Sequence, residues 1–328
     1  MKTCKLFFSL FFIFTIFSCS NDIETLVEDN ETDNQEVVDE EDTQKEESAD
    51  DEVIEEEEEQ DNNVPITDED SFNYTYDGNE VSINEWTGQK VENTLSILAA
   101  ASDGNSIHLE FNTAGNLGKI SSYSGTDFDF PSSGSFAYFS SNFIDFELIN
   151  IDEENKKVQV EFSGKLYEDS YDIESNFHEV QGNFIVSYLE TDPSIAQLGT
   201  QAVIDGKDWF GTSSLQNGGF LEDSDVTFIR LNDSENAISI TVNHDTTTEG
   251  SYSFNTDSNL NSVKLLRYDA ENHEFITYET SGTLVITEKT VGPQLSRIKG
   301  EFSFTATALD NSTKEITNGA FNLVYSTY

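Results

Sequence analysis

Apolar residues recur at every second position across residues 71–328 of this chain. Val158, Val160 and Phe162 alternate with Gln159 and Glu161; Ile238, Ile240 and Val242 alternate with Ser239 and Thr241. Phe302, Phe304 and Ala306 alternate with Ser303 and Thr305, and Phe321, Leu323 and Tyr325 close the chain the same way. A period of two turns one set of side chains into a core and the other into water, the signature of half-buried antiparallel strands. No long stretch carries the 3.6-residue period of an amphipathic helix. Aromatic residues make up 12% of the chain, mostly Phe and Tyr, which suits β-rich cores.

Turn chemistry separates the alternating runs. Asp77-Gly78, Asp103-Gly104, Asp205-Gly206, Asn217-Gly218 and Asn318-Gly319 are the pairs expected to reverse the chain between strands. Glycines at 164, 182, 282 and 300 lead apolar runs, where bulges or bends are expected.

The runs also repeat. Ser163-Gly164-Lys165-Leu166 aligns with Ser281-Gly282-Thr283-Leu284, and each is followed by a second glycine-led strand at Gly182 and Gly300. Asp152-Glu153-Glu154-Asn155 parallels Asp269-Ala270-Glu271-Asn272, and Ser106–Phe111 parallels Ala237–Val242. Each copy opens on an Asp-Gly pair and a tryptophan, Asp77-Gly78 with Trp86 and Asp205-Gly206 with Trp209. The expectation is an all-β chain: two tandem antiparallel β-sandwich or open-barrel-like domains at 71–195 and 196–328, the second repeating the first. Phe304 to Tyr325, turning near Asp310-Asn311, reads as an extra final hairpin of the second copy.

What precedes them is of another kind. Between Asn21 and Asp70 there are 25 Asp and Glu residues against the single Lys45, which is half of the net charge of −48. Its apolar residues have no period, so it cannot bury enough to offset chain entropy, and like charges swell it. Residues 19–70 are therefore expected to be a disordered acidic tether, with a span of ~40 Å or more for a chain of that length.

Residues 1–18 read as an export signal. Lys2 and Lys5 precede an apolar run from Leu6 to Phe17, of about 12 residues, too short for the ~20 that cross a bilayer as a helix. Ile16-Phe17-Ser18-Cys19 resembles a bacterial lipobox, although Ile16 stands where Leu is commonest and Phe17 is bulkier than usual. The resemblance implies a lipid on the Cys19 thiol; the alternative is an ordinary secretory signal with Cys19 incidental. Ser20-Asn21-Asp22-Ile23-Glu24 resembles the export signal that sends Bacteroidota lipoproteins to the outer face of the outer membrane. Asp205-Gly206-Lys207-Asp208-Trp209 matches the opening of β-modules in an uncharacterised group of such lipoproteins. These resemblances imply an outer-membrane, cell-surface location and a β fold, with no activity attached.

Chemistry is sparsely marked. Only Cys4 and Cys19 are cysteines, so removal of the signal and acylation would leave no thiol for a disulfide, a nucleophile or a metal. His108, His178, His244 and His273 have no metal-binding spacing, and neither a nucleophile elbow nor a phosphate loop occurs. Asp257, Asn259 and Asn261 have the 1-3-5 oxygen spacing of a calcium loop, but Ser262 and Tyr268 at its sixth and twelfth positions exclude an EF-hand. Asp127 with Asp129 and Asp223 with Asp225 each put two carboxylates on one side of an extended chain. In a chain this acidic such sets arise by chance, and solvated turns are the expected reading, with calcium the lesser alternative. Trp86 and Trp209 read as core plugs or as sugar-stacking platforms, and Tyr123, Tyr138, Tyr167 and Tyr171 as the exposed ligand face.

The chain is thus expected to be held at the membrane by Cys19 and to display two β-domains to a protein or glycan partner, with no catalysis and no cofactor. A glycan- or calcium-dependent ligand binder is the alternative, and a hydrolase the third reading. The charge excludes nucleic acid.

Overall fold

The computed structural model describes residues 65–125, 131–218 and 224–326. Cys19, the acidic run as far as residue 64, Asp127, Asp129 and Asp223 lie outside the described residues. Asp61–Tyr328 form one compact unit, and it is all-β, as the alternation predicts.

The first half is a ten-stranded sheet. Its strands are β1 (Ser71–Tyr76), β2 (Asn79–Glu80), β3 (Ile83–Val91), β4 (Thr94–Ala101) and β5 (Ser106–Asn112). They are followed by β6 (Leu117–Tyr123), β7 (Ser133–Gly134), β8 (Ile144–Asp152), β9 (Lys157–Tyr167) and β10 (Phe177–Thr191). The order is β2-β1-β10-β3-β4-β5-β6-β7-β9-β8, and an additional β9–β10 pairing closes the sheet on itself. Closure depends on a short parallel contact, Tyr188–Thr191 against Gly88–Val91, and on the single pair Gly134–Tyr167. Closure removes free edges from the strands in the ring. Leu95, Ile97, Ile107, Leu109, Val158, Val160 and Val186 fill its interior without exposure.

The second half is two facing sheets. Its strands are β11 (Gly199–Ile204), β12 (Lys207–Phe210), β13 (Ser213–Gly218), β14 (Asp225–Leu231), β15 (Asn236–Asn243) and β16 (Gly250–Asn255). Then come β17 (Ser262–Asp269), β18 (Glu274–Thr277), β19 (Glu279–Thr290), β20 (Leu295–Thr307) and β21 (Thr313–Ser326). One sheet runs β12-β11-β21-β20-β19-β16 and the other β13-β14-β15-β17-β18. Ile238, Ile240, Val242, Val263, Leu265, Leu284 and Ile298 pack between them, wholly buried. A third cluster draws on both halves: Phe136 and Tyr167 from the first meet Tyr268 from the second.

The two halves share a strand order, but not in the register that the glycine-led runs suggest. In the first, β2-β1-β10-β9-β8 lie side by side and β3-β4-β5-β6 follow one another; in the second, β12-β11-β21-β20-β19 and β13-β14-β15-β17 do the same. So β9 corresponds to β20 and β10 to β21, one strand later than the match of Gly164 with Gly282. The hairpin of β20 and β21 is therefore the counterpart of β9 and β10, and the additions are β16 and β18. No bulge lies at Gly164, Gly182 or Gly282, whereas the register shift between Ile286 and Glu288 stands opposite Gly300. At Gly182 the reason for glycine is space, since a Cβ there would stand 2.5 Å from the Phe162 ring.

Three further expectations change. Asn217-Gly218 lies in β13, paired with Thr227 and Val226, and Asn318-Gly319 lies within β21, where Gly319 pairs with Phe302 and Asn318 falls in a register shift, so neither pair makes the turn between two strands. Trp209 is a buried plug donating from Nε1 to the Asn236 carbonyl at 3.3 Å, whereas Trp86 is half-buried on β3, which is not the counterpart of β12. The folded unit also reaches back to Pro65. Ile66 is buried and its amide donates to Asp152 Oδ2 at 2.7 Å; Lys157 Nζ donates to the Asp68 carbonyl at 2.6 Å, and Ser187 donates to Asp70.

Candidate functional site

Two clefts of this unit lie where its halves meet, and short polar contacts hold that junction. Asn116 Nδ2 and the Leu117 amide donate to the two carboxylate oxygens of Asp233 at 3.1 and 3.2 Å. Burial pushes the Asp233 carboxyl above its ordinary pKa, and these donors act against that rise. Ser141 N donates to the Asp233 carbonyl at 2.9 Å, and Thr212 Oγ1 to the Leu117 carbonyl at 3.2 Å.

The larger cleft is a groove of about 520 Å³, within the size range of small-ligand sites. One wall is the β3–β4 and β5–β6 turns of the first half, bound together by Thr113 N donating to the Asn93 carbonyl at 2.9 Å. The connection before β11 forms a second wall. Gln197 N donates to Glu92 Oε1 at 2.8 Å, and the buried Asn322 donates to the Ala196 carbonyl at 2.9 Å. Arg297 Nε donates to Asn322 Oδ1 at 2.8 Å and fixes that amide. Asn93, Thr113, Gln197, Gln201, Lys299 and Glu301 line the groove, with Leu198, Phe210 and Phe321 among its apolar members. Amides, hydroxyls, two carboxylates (Glu92 and Glu301) and one ammonium (Lys299) offer many polar contacts to an extended ligand.

The residues singled out from sequence do not assemble at this groove. Asp257 and Asn259 are exposed on the connection between β16 and β17, while Asn261, at φ +49°, accepts a hydrogen bond from Thr247 Oγ1 at 2.5 Å. Asp225 accepts from Asn243 Nδ2 at 2.7 Å. Among the described residues no three His, Cys, Asp or Glu side chains gather as metal ligands. The histidines are dispersed. His178 Nδ1 lies 2.8 Å from Asp77 Oδ2 with its ring stacked on Tyr76, and His244 Nδ1 lies 3.1 Å from the Tyr325 hydroxyl. His273 sits at φ +57° in the β17–β18 turn. His108 Nε2 contacts Ser96 Oγ at 2.8 Å and stands 3.6 Å from Glu110 Oε1. Serine and carboxylate thus address the same ring nitrogen, whereas a catalytic triad needs one on each.

Of the four tyrosines, Tyr167 is 3% exposed and belongs to the junction cluster; Tyr171 is 50% exposed, and Tyr138 is half-buried between them. The groove residues carry no motif. Only their placement at the ends of hairpins, where turns from one half meet a strand face of the other, marks them.

The fold and its clefts define an all-β protein with a groove between two halves of similar strand order. Residues 197–324 match the family model described as Domain of unknown function (DUF6252), a span that runs from the connection before β11 almost to the end of β21. No curated protein and no solved structure matches the chain. Among the described residues no helix is long and apolar enough to cross a membrane.

Proposed function

We propose that this chain is a lipid-anchored surface lipoprotein of the outer membrane whose β-unit binds an extended polar ligand, a glycan strand in the first instance, without chemistry. The groove between the halves carries this reading. It is open, walled by amides and hydroxyls, and rigidly backed by sheet on one side. Anchorage rests on Cys19 closing the apolar run directly, and on the acidic residues that follow it. The clasp of Ile66, Asp68 and Asp70 gives the tether a fixed exit point on the β-unit.

Whole cells test the anchorage. Labelled fatty acid should enter the wild type and not Cys19→Ala, and external protease should release the β-unit from intact cells. An unmodified terminus on secreted protein would overturn it. A polysaccharide array tests the groove: wild type binds a member, and Gln201→Trp, which fills the groove from an exposed strand position, does not. Equal binding by both proteins would remove the groove from the proposal.

A further inference from the structure

A second cavity at the junction, of about 180 Å³, has a different character. Its floor is the face of β5 and β6 turned away from the Leu109 and Ile120 core, and it carries Glu110, Lys119 and Ser121. Tyr171, in the β9–β10 connection, stands on its rim, and Ser214 and Leu215 of β13 close the far side.

Glu110 and Lys119 face each other across the strand pair with 3.6 Å between Oε1 and Nζ, beyond a direct hydrogen bond. Both stay partly exposed, 32% and 47% at the side chain. Glu168 lines the cavity as well, so two carboxylates stand against one ammonium and an anionic guest is disfavoured. The carboxylate accepts from neighbouring hydroxyl groups and the ammonium donates to ring or hydroxyl oxygens. His108, the other group near Glu110, is held below its ordinary pKa by burial, so that at neutral pH Lys119 is the cation facing the carboxylate. Tyr138 packs edge-on to Tyr171 at 5.9 Å, and Tyr171 keeps half its surface exposed. An aromatic face beside a donor–acceptor pair complements a pyranose, whose C–H face is apolar and whose rim is polar. At about 180 Å³ the cavity is small, on the scale of one ring.

We propose that this cavity is a binding site for a single neutral sugar ring, with Tyr171 as the stacking surface and Glu110 and Lys119 as the hydroxyl-reading pair. The site is separate from the groove and does not depend on the reading of the groove.

The test uses the purified chain with glucose, galactose, mannose and N-acetylglucosamine as probes, by titration calorimetry and saturation-transfer NMR. At least one should bind with a dissociation constant in the millimolar range or tighter. Tyr171→Ala and Glu110→Gln should each weaken it at least about tenfold, and Tyr171→Phe, which keeps the ring, should bind as the wild type does. Unchanged melting temperatures of the variants separate lost contact from lost fold. Gln201→Trp in the groove should leave the affinity unaltered. No binding by any of the four sugars, or binding indifferent to both Tyr171→Ala and Glu110→Gln, overturns the proposal.

Discussion

Asp205 and Glu315 clasp one another twice: the Asp205 amide donates to the Glu315 carbonyl at 2.9 Å, and the Glu315 amide donates to Asp205 Oδ1 at 2.8 Å. Asp77 and Glu179 do the same in the first half, at 2.8 and 3.0 Å. In each case the aspartate opens a two-residue turn with both φ angles positive, Asp77-Gly78 at +48° and +72° and Asp205-Gly206 at +50° and +79°, the geometry that matches strand twist in a tight hairpin. The clasp ties that turn to the start of the strand beside it, β10 in one half and β21 in the other. It fixes the correspondence of the halves independently of the strand order.

Asp205→Ala should therefore lose both the side-chain acceptor and a residue tolerant of the left-handed region, at a cost of about 1–3 kcal/mol. Asp205→Asn keeps an oxygen in the same place and should fall within about 0.5 kcal/mol of wild type. Urea midpoints with unchanged slopes would measure both.

Gly319 lies opposite Phe302 as Gly182 lies opposite Phe162, and a Cβ at Gly319 would run into the Phe302 ring. Gly319→Ala should cost about 1–3 kcal/mol through overpacking. Combined with Phe302→Leu it should cost less than the two singly, by at least about 0.5 kcal/mol. Strict additivity in a double-mutant cycle would show that the ring is not the obstacle.

Burial holds His108 neutral below the ordinary histidine pKa of 6.5. Above that pH neither folded nor unfolded chain carries the proton, and the group contributes no slope. As pH falls below 6.5 the unfolded chain takes the proton first, so stability declines until the folded pKa is reached, by at most about 1.4 kcal/mol per pH unit. His108→Gln should flatten this part of the profile in denaturant titrations between neutral and mildly acidic pH. A profile identical to the wild type would place the proton elsewhere.

Ile66→Ala should remove about 2 kcal/mol of burial and free the segment before β1. Hydrogen exchange at residues 66–70 should then approach that of an open chain, while the amides of β9 and β10 keep their protection. Slow exchange in the variant would mean that Asp68 and Asp70 suffice to hold the segment.

The β class and the turns at Asp77-Gly78 and Asp205-Gly206 were legible because both are local: alternation sets the face of each residue, and Asp-Gly sets the sign of φ. The glycine-led match between the halves falls one strand out from the strand order they share. The better match is Glu161-Phe162-Ser163 with Glu301-Phe302-Ser303, followed by Glu179-Val180 with Glu315-Ile316. An extra residue near Asn318, at φ +51°, hides it, moving Gly319 and Phe321 one place later than Gly182 and Phe184. Ile66, between Val64-Pro65 and Asp68-Glu69-Asp70, gave no periodic signal that it would be buried.

By itself the sequence determined a β-rich unit of alternating strands and Asp-Gly turns, preceded by an acidic stretch of 25 carboxylates between Asn21 and Asp70. Tertiary structure alone decided that the first half closes on itself while the second stays as two sheets, and that both clefts open where the halves meet. The reason is range. Side-chain alternation and turn geometry act over a few residues, whereas the groove and the cavity each bring together turns and strand faces from both halves of the chain, whose meeting depends on strand order and on contacts such as Asp233 with Asn116.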